Sequence, residues 1–319
     1  MRQVSFEEIK EIIKVEDLFE PMRRSFIDYN SPNLIGIPAS LLHFSGDADV
    51  HIKTAAIEGY DYFSIKVASM FPDNIEHNLS PYSGAVFLFD ATTGVPQAVL
   101  NDRGLLTDLR TAAAGAVITD FVASSEANKV SIIGTGLQAW HQVLALDKIR
   151  RIEELVIYGR NQGKANALRG KFQKELPGIT IKVAASAEEA VKETEIILTT
   201  TSSKEPIVKG EWLQPGQHLT AVGADDTFKH EIDAACLEKA DAIFLDSLQL
   251  NLQFGEFSHA MLKNPALMEK TMEFGQAFQH DAWSGNKDKI TVAKLVGVGV
   301  QDLAAATYVL DRVITQEKS

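Results

Sequence analysis

The pattern of apolar positions changes character three times along the chain. Ser5 followed by Glu8 is a capping-box signature, and the spacing of Ile9, Ile12 and Ile13 behind it predicts a short amphipathic helix; a second helix is expected from about Glu16 to Phe26. Between Asn30 and Gly94 the pattern turns to short extended runs broken by turn residues: SPNLIGIPASLLHF, ADVHIKTAAIEG, YFSIKVASMFPDN and GAVFLFDATTG, with PQAVLNDRG following. These predict an antiparallel sheet, with turns at Asp90 to Gly94 and Asp102 to Gly104. From Thr107 the alanine-rich run LTDLRTAAAGAVITDFVA becomes helical, and its small side chains permit close approach of another helix or a partner subunit.

The middle of the chain alternates strand and helix. VSIIG is a strand, followed by a helix from about Gln138 to Lys148; ELVIYG is the next, followed by a helix from Gln162 to Glu175. ITIKVAA, a helix capped by Ser186 and Glu189, EIILTTT, HLTAVGA and AIFLDS continue the series, which is the signature of a parallel sheet. LQLNLQFGEFSHAMLKNPALMEK reads as loop and helix, and KITVAKLVGVGVQDLAAATYVLDRVI as a short extended run, two glycines and a closing helix. The expected fold is α/β. A Rossmann dinucleotide-binding domain over 121–302 is inserted in a discontinuous α/β domain formed by 1–120 and 303–319, with a cleft between the two.

Composition narrows the function classes. With 45% hydrophobic and 23% charged residues the chain is an ordinary globular one. The net charge of −12, without a basic cluster, argues against a nucleic acid or an anionic membrane as partner. No apolar run approaches a membrane span and the acidic N-terminus is unlike a signal peptide, so a cytoplasmic location is expected. Cys236 alone excludes an internal disulfide and reads as a core residue, and the scattered histidines predict no metal site.

The stretch GTGLQA after the first strand of the alternating region carries the cofactor expectation. Gly134 permits a sharp turn, Gly136 lets backbone approach a pyrophosphate, and Ala139 permits close helix-to-strand packing. Backbone N–H groups from Thr135 through Leu137 and Gln138 would face the anion at the positive end of the helix. NAD-selective sites place an acid at the end of the second strand, but here Tyr158, Gly159, Arg160 and Asn161 stand there, with Lys164 one turn on. Arg160 and Lys164 suit a 2′-phosphate, so NADP(H) is favoured; Asn161 leaves NAD(H) open.

The stretches FSIKVASMFPDN, LTDLRTAAAGAV, IIGTGLQA, TTTSSKEPI, AVGADDTFKHEID and VGVGVQDLAAA, in this order and spacing, resemble the ornithine cyclodeaminase and mu-crystallin family over nearly the whole chain. The resemblance implies a Rossmann domain inserted in a substrate-binding and dimerising α/β domain, and hence a homodimer. It implies hydride transfer between a nicotinamide and the carbon beside a carboxylate. It makes Lys66 the residue that touches the substrate carboxylate and polarises the reacting carbon, Arg110 the carboxylate clamp, and Asp225 the acid-base group at the imine or amine nitrogen. Thr200, in TTTSS, falls with the cofactor contacts. Asp226 is expected to cap or to face solvent, and Lys229 to serve structure.

One departure from the family pattern matters. Some cyclodeaminase-like members carry an arginine upstream, and NLIGIP has none; Lys53, in HIKTAA on a strand beside that of Lys66, is the candidate replacement. His51 is assigned the opposite facing on that strand and left out of the site. HIKTAA and FSIKVASMFPDN together look like the bacterial branch that includes reductases of Δ1-pyrroline-2-carboxylate. The function expected is reduction of a small cyclic imino acid, Δ1-pyrroline-2-carboxylate to L-proline. The alternatives are an ornithine cyclodeaminase using bound NAD and a catalytically silent, crystallin-like NADP-binding protein, the latter disfavoured by Lys66, Arg110 and Asp225 standing together.

Overall fold

The computed structural model describes residues 1–35, 39–46, 48–280, 283 and 288–318. The start of the chain forms β1 (Arg2–Val4), α1 (Phe6–Ile12), α2 (Phe19–Tyr29), β2 (Ala39–His43), β3 (Asp49–Ala55), β4 (Tyr62–Met70), β5 (Tyr82–Asp90) and β6 (Pro96–Leu100). Then come α3 (Leu105–Val122), β7 (Lys129–Ile133), α4 (Leu137–Ile149), β8 (Glu154–Tyr158), α5 (Gln162–Glu175), β9 (Thr180–Val183), α6 (Ala187–Lys192), β10 (Ile196–Thr199) and β11 (His218–Ala221). The remainder is α7 (Ala234–Lys239), β12 (Ala242–Leu245), α8 (Leu248–Asn251), α9 (Gly255–Lys263), β13 (Thr271–Glu273), α10 (Phe274–His280), β14 (Thr291–Lys294) and α11 (Gly299–Lys318).

Two compact units result, Met1–Arg110 with Val298–Ser319, and Thr111–Gly297. The first holds a six-stranded sheet in the order β1-β6-β5-β4-β3-β2, antiparallel except where β1 pairs parallel to β6. β1 is absent from the sequence expectation because three residues carry no readable alternation. On one face of the sheet Ser64, Lys66, Val86 and Leu88 are buried, and α11 lies against β3, β4 and β5. Its first turn sits so close that a Cβ on Gly299 would come within 2.4 Å of the Thr54 carbonyl. The opposite face keeps Phe63, Ile65, Val67, Phe87 and Phe89 only half-buried, with Phe63 and Phe89 stacked.

The second unit is a parallel eight-stranded sheet in the order β13-β12-β14-β11-β10-β7-β8-β9. Taking β7 as its first strand, the order from β9 to β11 is 3-2-1-4-5, a Rossmann arrangement. Strands β7, β10, β11, β12 and β14 are almost wholly buried, which is why they read as continuous apolar runs. KITVAK supplies β14 inside this sheet, and β13 was missed: TME is a three-residue edge strand between turn and helix signals. Cys236 is a buried core residue whose thiol burial pushes well up.

The junctions differ from the expected 120 and 302. α3 runs unbroken across the first, so no turn signal marks it, and its opening turns with Arg110 belong to the first unit. Gln301 and Asp302 belong to α11 and bond to Arg110, which carries the second junction to Val298. No helix of the described residues is long and apolar enough to cross a membrane.

Candidate active site

In the first unit four charged residues converge under α11. Lys53 on β3 lies directly opposite Lys66 on β4 in the antiparallel register, so both side chains project from the same face. Lys66 Nζ is 2.9 Å from Asp302 Oδ2, and Arg110 donates from Nε to Asp302 Oδ1 at 3.0 Å and from Nη1 to Gln301 Oε1 at 2.9 Å. Lys66, Arg110, Gln301 and Asp302 are buried. Arg110 is fixed from below by the start of α3, where Asp102 Oδ2 accepts from Leu106 N at 2.9 Å.

Lys53, Lys66 and Arg110 face Asp302, and buried Asp102, whose carboxyl burial raises, lies within electrostatic reach of Lys66 and Asp302. Burial pushes the Lys66 ammonium down to about 7, with Arg110 and Lys53 adding to the shift and Asp302 opposing it. Burial raises the Asp302 carboxyl, but Lys66, Arg110 and Lys53 outweigh it and hold the group below its ordinary range. Buried Lys66 and Arg110, with half-buried Lys53 beside them, form a cationic face around Asp302. Two polar atoms beside it, Gln301 Nε2 and Ser64 Oγ two positions before Lys66 on β4, are buried without a hydrogen-bond partner among the described residues. Buried cations with unpartnered polar atoms beside them suit an anion seat.

His51 corrects the sequence expectation. Residues two apart on a strand share a face, and β3 runs unbroken through both positions, so His51, paired to Ala68, lies on the same side as Lys53. It sits 3.6 Å from Asp49 Oδ1, at the end of the strand away from Lys66 and toward Met70.

In the second unit the candidate cofactor residues gather at the carboxyl ends of β7, β8 and β10. Gly134 adopts φ +135°, and a Cβ there would stand 2.6 Å from Thr200 Oγ1; only glycine fits. Gly136 begins α4 with no side-chain cap, and a Cβ on it would meet open space, so backbone can approach a ligand there. Thr200 Oγ1 is buried with no partner among the described residues. An uncapped helix start, a glycine opening on free space and an orphan hydroxyl at the strand-order reversal between β7 and β10 fit a dinucleotide pyrophosphate.

A cavity of about 700 Å³ opens from Thr135, Gly136 and Leu137 along Trp140, His141 and Lys164. Arg160 and Lys164 are exposed at the end of β8, and Asn161 Oδ1 accepts from Lys164 N at 3.0 Å to cap α5. Gln138 lies in the first turn of α4, where its Oε1 accepts from Gln142 Nε2 at 3.3 Å.

Asp225 follows β11 in the loop Val222 to Asp226, half-buried, and Lys229 Nζ donates to its Oδ1 at 2.6 Å. Asp226 Oδ1 accepts from Phe228 N and Lys229 N at 2.7 Å each, closing the turn, and Asp225 is the less buried of the two carboxylates. Sequence reasoning missed Asp302, Gln301 and Glu231. The signal for the first two was an acid and an amide interrupting the apolar run VGVGVQDLAAA; for Glu231 it was a lone acid before the apolar Ile232.

Comparison with known proteins places the fold in a family. The model of the ornithine cyclodeaminase/mu-crystallin family matches residues 2–317. A Sinorhizobium fredii protein named as an uncharacterized cyclodeaminase is 34% identical over 310 residues, 96% of this chain and 93% of that one. The solved Thermococcus litoralis Δ1-pyrroline-2-carboxylate reductase in complex with NADH and L-proline superposes with a TM-score of 0.89 at 25% identity, covering 99% of this chain and 98% of the other. An archaeal alanine dehydrogenase dimer with bound NAD gives 0.90 at 27% identity, covering 99% and 97%. The chain belongs to the ornithine cyclodeaminase/mu-crystallin family and is an enzyme of it.

Proposed function

Within this family we propose that the chain reduces a small cyclic imino acid, Δ1-pyrroline-2-carboxylate to L-proline, at the expense of a reduced nicotinamide dinucleotide. The observation that carries the assignment is the cluster of buried Lys66 and Arg110 with half-buried Lys53 around Asp302. Arg110 bonds through Nε and Nη1, and its Nη2 makes no hydrogen bond among the described residues, so part of its planar fork is open to a carboxylate. Lys66 has two further donors beyond the one facing Asp302, and Asp302 holds it in place. With the substrate carboxylate held there, the imine carbon beside it is fixed in position. When bound, the reduced cofactor supplies hydride to that carbon. Asp225 accepts a hydrogen bond from the protonated imine nitrogen, so the proton stays at nitrogen while the carbon is reduced, and Lys229 orients the carboxylate.

NADP(H) is assigned as the preferred cofactor. No acid stands after β8 to take a ribose 2′-hydroxyl, the Asn161 oxygen is engaged in capping α5, Lys164 lines the cavity, and Arg160 is exposed at the end of β8. A homodimer is assigned from the half-buried apolar sheet face of Phe63, Ile65, Val67, Phe87 and Phe89, together with exposed Leu42, Leu79 and Tyr82 on neighbouring segments. The domain roles follow, with the first unit for substrate and dimerisation and the second for the dinucleotide.

Ornithine cyclodeamination is the second reading, favoured by the name of the Sinorhizobium relative. It needs a carboxylate for the distal amine; of the acids near the cation cluster, Asp302 is paired with Lys66 and Arg110, and Asp102 accepts from Leu106 N at the start of α3. The test is oxidation of NADPH and NADH with Δ1-pyrroline-2-carboxylate, Δ1-piperideine-2-carboxylate, and pyruvate plus ammonia, with ammonia release from ornithine as control. Fastest turnover with the five-membered imine is expected. Ammonia from ornithine without imine reduction would reject the reductase.

A further inference from the structure

Below the carboxyl ends of β10, β11 and β14 lies a second buried charge cluster that the reaction as described does not use. Glu231, Glu256 and Lys294 are all essentially without solvent exposure. Glu231 receives Thr201 N on Oε1, and Thr199 Oγ1 and Gly223 N on Oε2 at 2.8 and 2.6 Å. Its own backbone N donates to Glu256 Oε1 at 2.6 Å. Glu256 Oε2 is 3.4 Å from Lys294 Nζ, and that ammonium donates to the carbonyls of Ala224 at 2.6 Å and Leu295 at 2.9 Å.

These contacts tie together two loops. Thr199 to Thr201 carry Thr200, whose orphan hydroxyl marks the dinucleotide site, and Gly223 and Ala224 lead directly into Asp225. The seam is tight: a Cβ on Gly223 would stand 2.2 Å from Thr201 O and 2.7 Å from Glu231 Oε1. We infer that Glu231, backed by Glu256 and Lys294, is a positioning residue that sets the spacing between the cofactor loop and the Asp225 loop. It touches neither substrate nor cofactor and acts through the backbones it holds. It matters in this way only if Thr200 and Asp225 serve as proposed above.

Chemistry explains why a carboxylate is needed. Two backbone N–H groups, one from each loop, end on different oxygens of Glu231. In Glu231→Gln one of those oxygens becomes an NH2 donor, and whichever way the amide turns it opposes Thr201 N–H or Gly223 N–H. The Thr199 hydroxyl can rotate to accept, but a backbone amide cannot. One loop is therefore released while the side-chain volume is kept.

The experiment compares wild type with Glu231→Gln, Thr199→Val and, as a control for stability alone, Arg150→Gln. Arg150 is a buried arginine bonded to Asp120 and to the carbonyls of Ser124 and Ala127, at the far end of α4 from Gly136. Titrations with NADPH and NADH, kcat and KM for Δ1-pyrroline-2-carboxylate, and Tm are read for each. For Glu231→Gln, dinucleotide affinity should fall at least about fivefold and kcat about twentyfold or more, with KM for the imine little changed. Thr199→Val removes one hydroxyl and should shift affinity and kcat the same way by about threefold. Arg150→Gln should lower Tm and leave the kinetics alone. Glu231→Gln with wild-type affinity and kcat overturns the inference, as does an Arg150→Gln enzyme showing the same kinetic loss at equal loss of Tm. Should Glu231→Gln not fold, an unchanged Thr199→Val enzyme overturns it. If wild type reduces none of the imino acids, the proposed substrate class fails, and the dinucleotide titrations alone decide the role of Glu231.

Discussion

The two units each bury a small cluster of charge, and the clusters are opposites. In the first, Lys53, Lys66 and Arg110 surround Asp302; in the second, Glu231 and Glu256 share Lys294. Both are far too buried to be surface ion pairs, so in each the uncompensated charge must be stabilised by something other than water. In the acidic cluster backbone and hydroxyl donors from two loops end on the oxygens of Glu231, while burial and the neighbouring Glu256 push its carboxyl up to about 7. In the basic cluster burial pushes Lys66 down to about 7, and Ser64 Oγ and Gln301 Nε2 beside it are without partners among the described residues. The difference lies in what faces the charge: backbone N–H groups of two loops end on Glu231, whereas side-chain cations and unpartnered side-chain donors gather around Asp302.

Asp225→Asn should have the largest effect on chemistry, lowering kcat by about a hundredfold or more while NADPH titration stays near wild type, because a neutral amide cannot stabilise the protonated imine. Equal kcat would remove Asp225 from the site. Asp302→Asn breaks the basic cluster from within. Leaving Lys66 and Arg110 without their shared anion should cost about 3–5 kcal/mol of stability by urea unfolding, and added substrate or L-proline should restore part of it. A variant as stable as wild type would mean the charge of Lys66 and Arg110 is compensated elsewhere.

A pH series sharpens the contrast further. The folded chain holds Lys66 at about 7 against an ordinary 10.5, so between those values the unfolded state binds more protons. Stability associated with Lys66 is thus present at high pH and lost as pH falls through about 7. Carboxylate binding runs the other way, so kcat/KM should decline as pH rises through about 7, when the ammonium discharges. Lys66→Arg, which stays charged, should flatten that decline; an identical profile in both would assign it to another group, such as the substrate imine. The smallest effect expected is at the cofactor: Arg160→Gln should weaken NADPH by about tenfold and NADH hardly at all. Equal loss for both would remove the 2′-phosphate assignment.

What the sequence made legible follows the same division. The alternating unit was readable because buried parallel strands appear as unbroken apolar runs, and because Gly134, at φ +135°, is a position only glycine fills. β1 and β13, three residues each, are too short to show a period. The junction inside α3 has no turn to announce it. Lys53 opposite Lys66 was legible from strand spacing, whereas Asp302 was not. Its contact with Lys66 joins residues far apart in the chain and depends on how closely Gly299 lets α11 approach β3. Glu231 was hidden likewise, since its meaning lies in which backbone amides surround it.

The carboxylate seat is the central claim, and removing the substrate's carboxylate tests it most directly. Wild type and Lys66→Met are each assayed with Δ1-pyrroline-2-carboxylate and with 1-pyrroline, the same ring without the acid. A charge-assisted carboxylate contact predicts that wild type prefers the acid by about a thousandfold in kcat/KM, and that Lys66→Met loses most of that preference, its kcat/KM falling far more on the acid than on 1-pyrroline. Equal rates on the two rings in wild type, or a preference untouched in Lys66→Met, would contradict it.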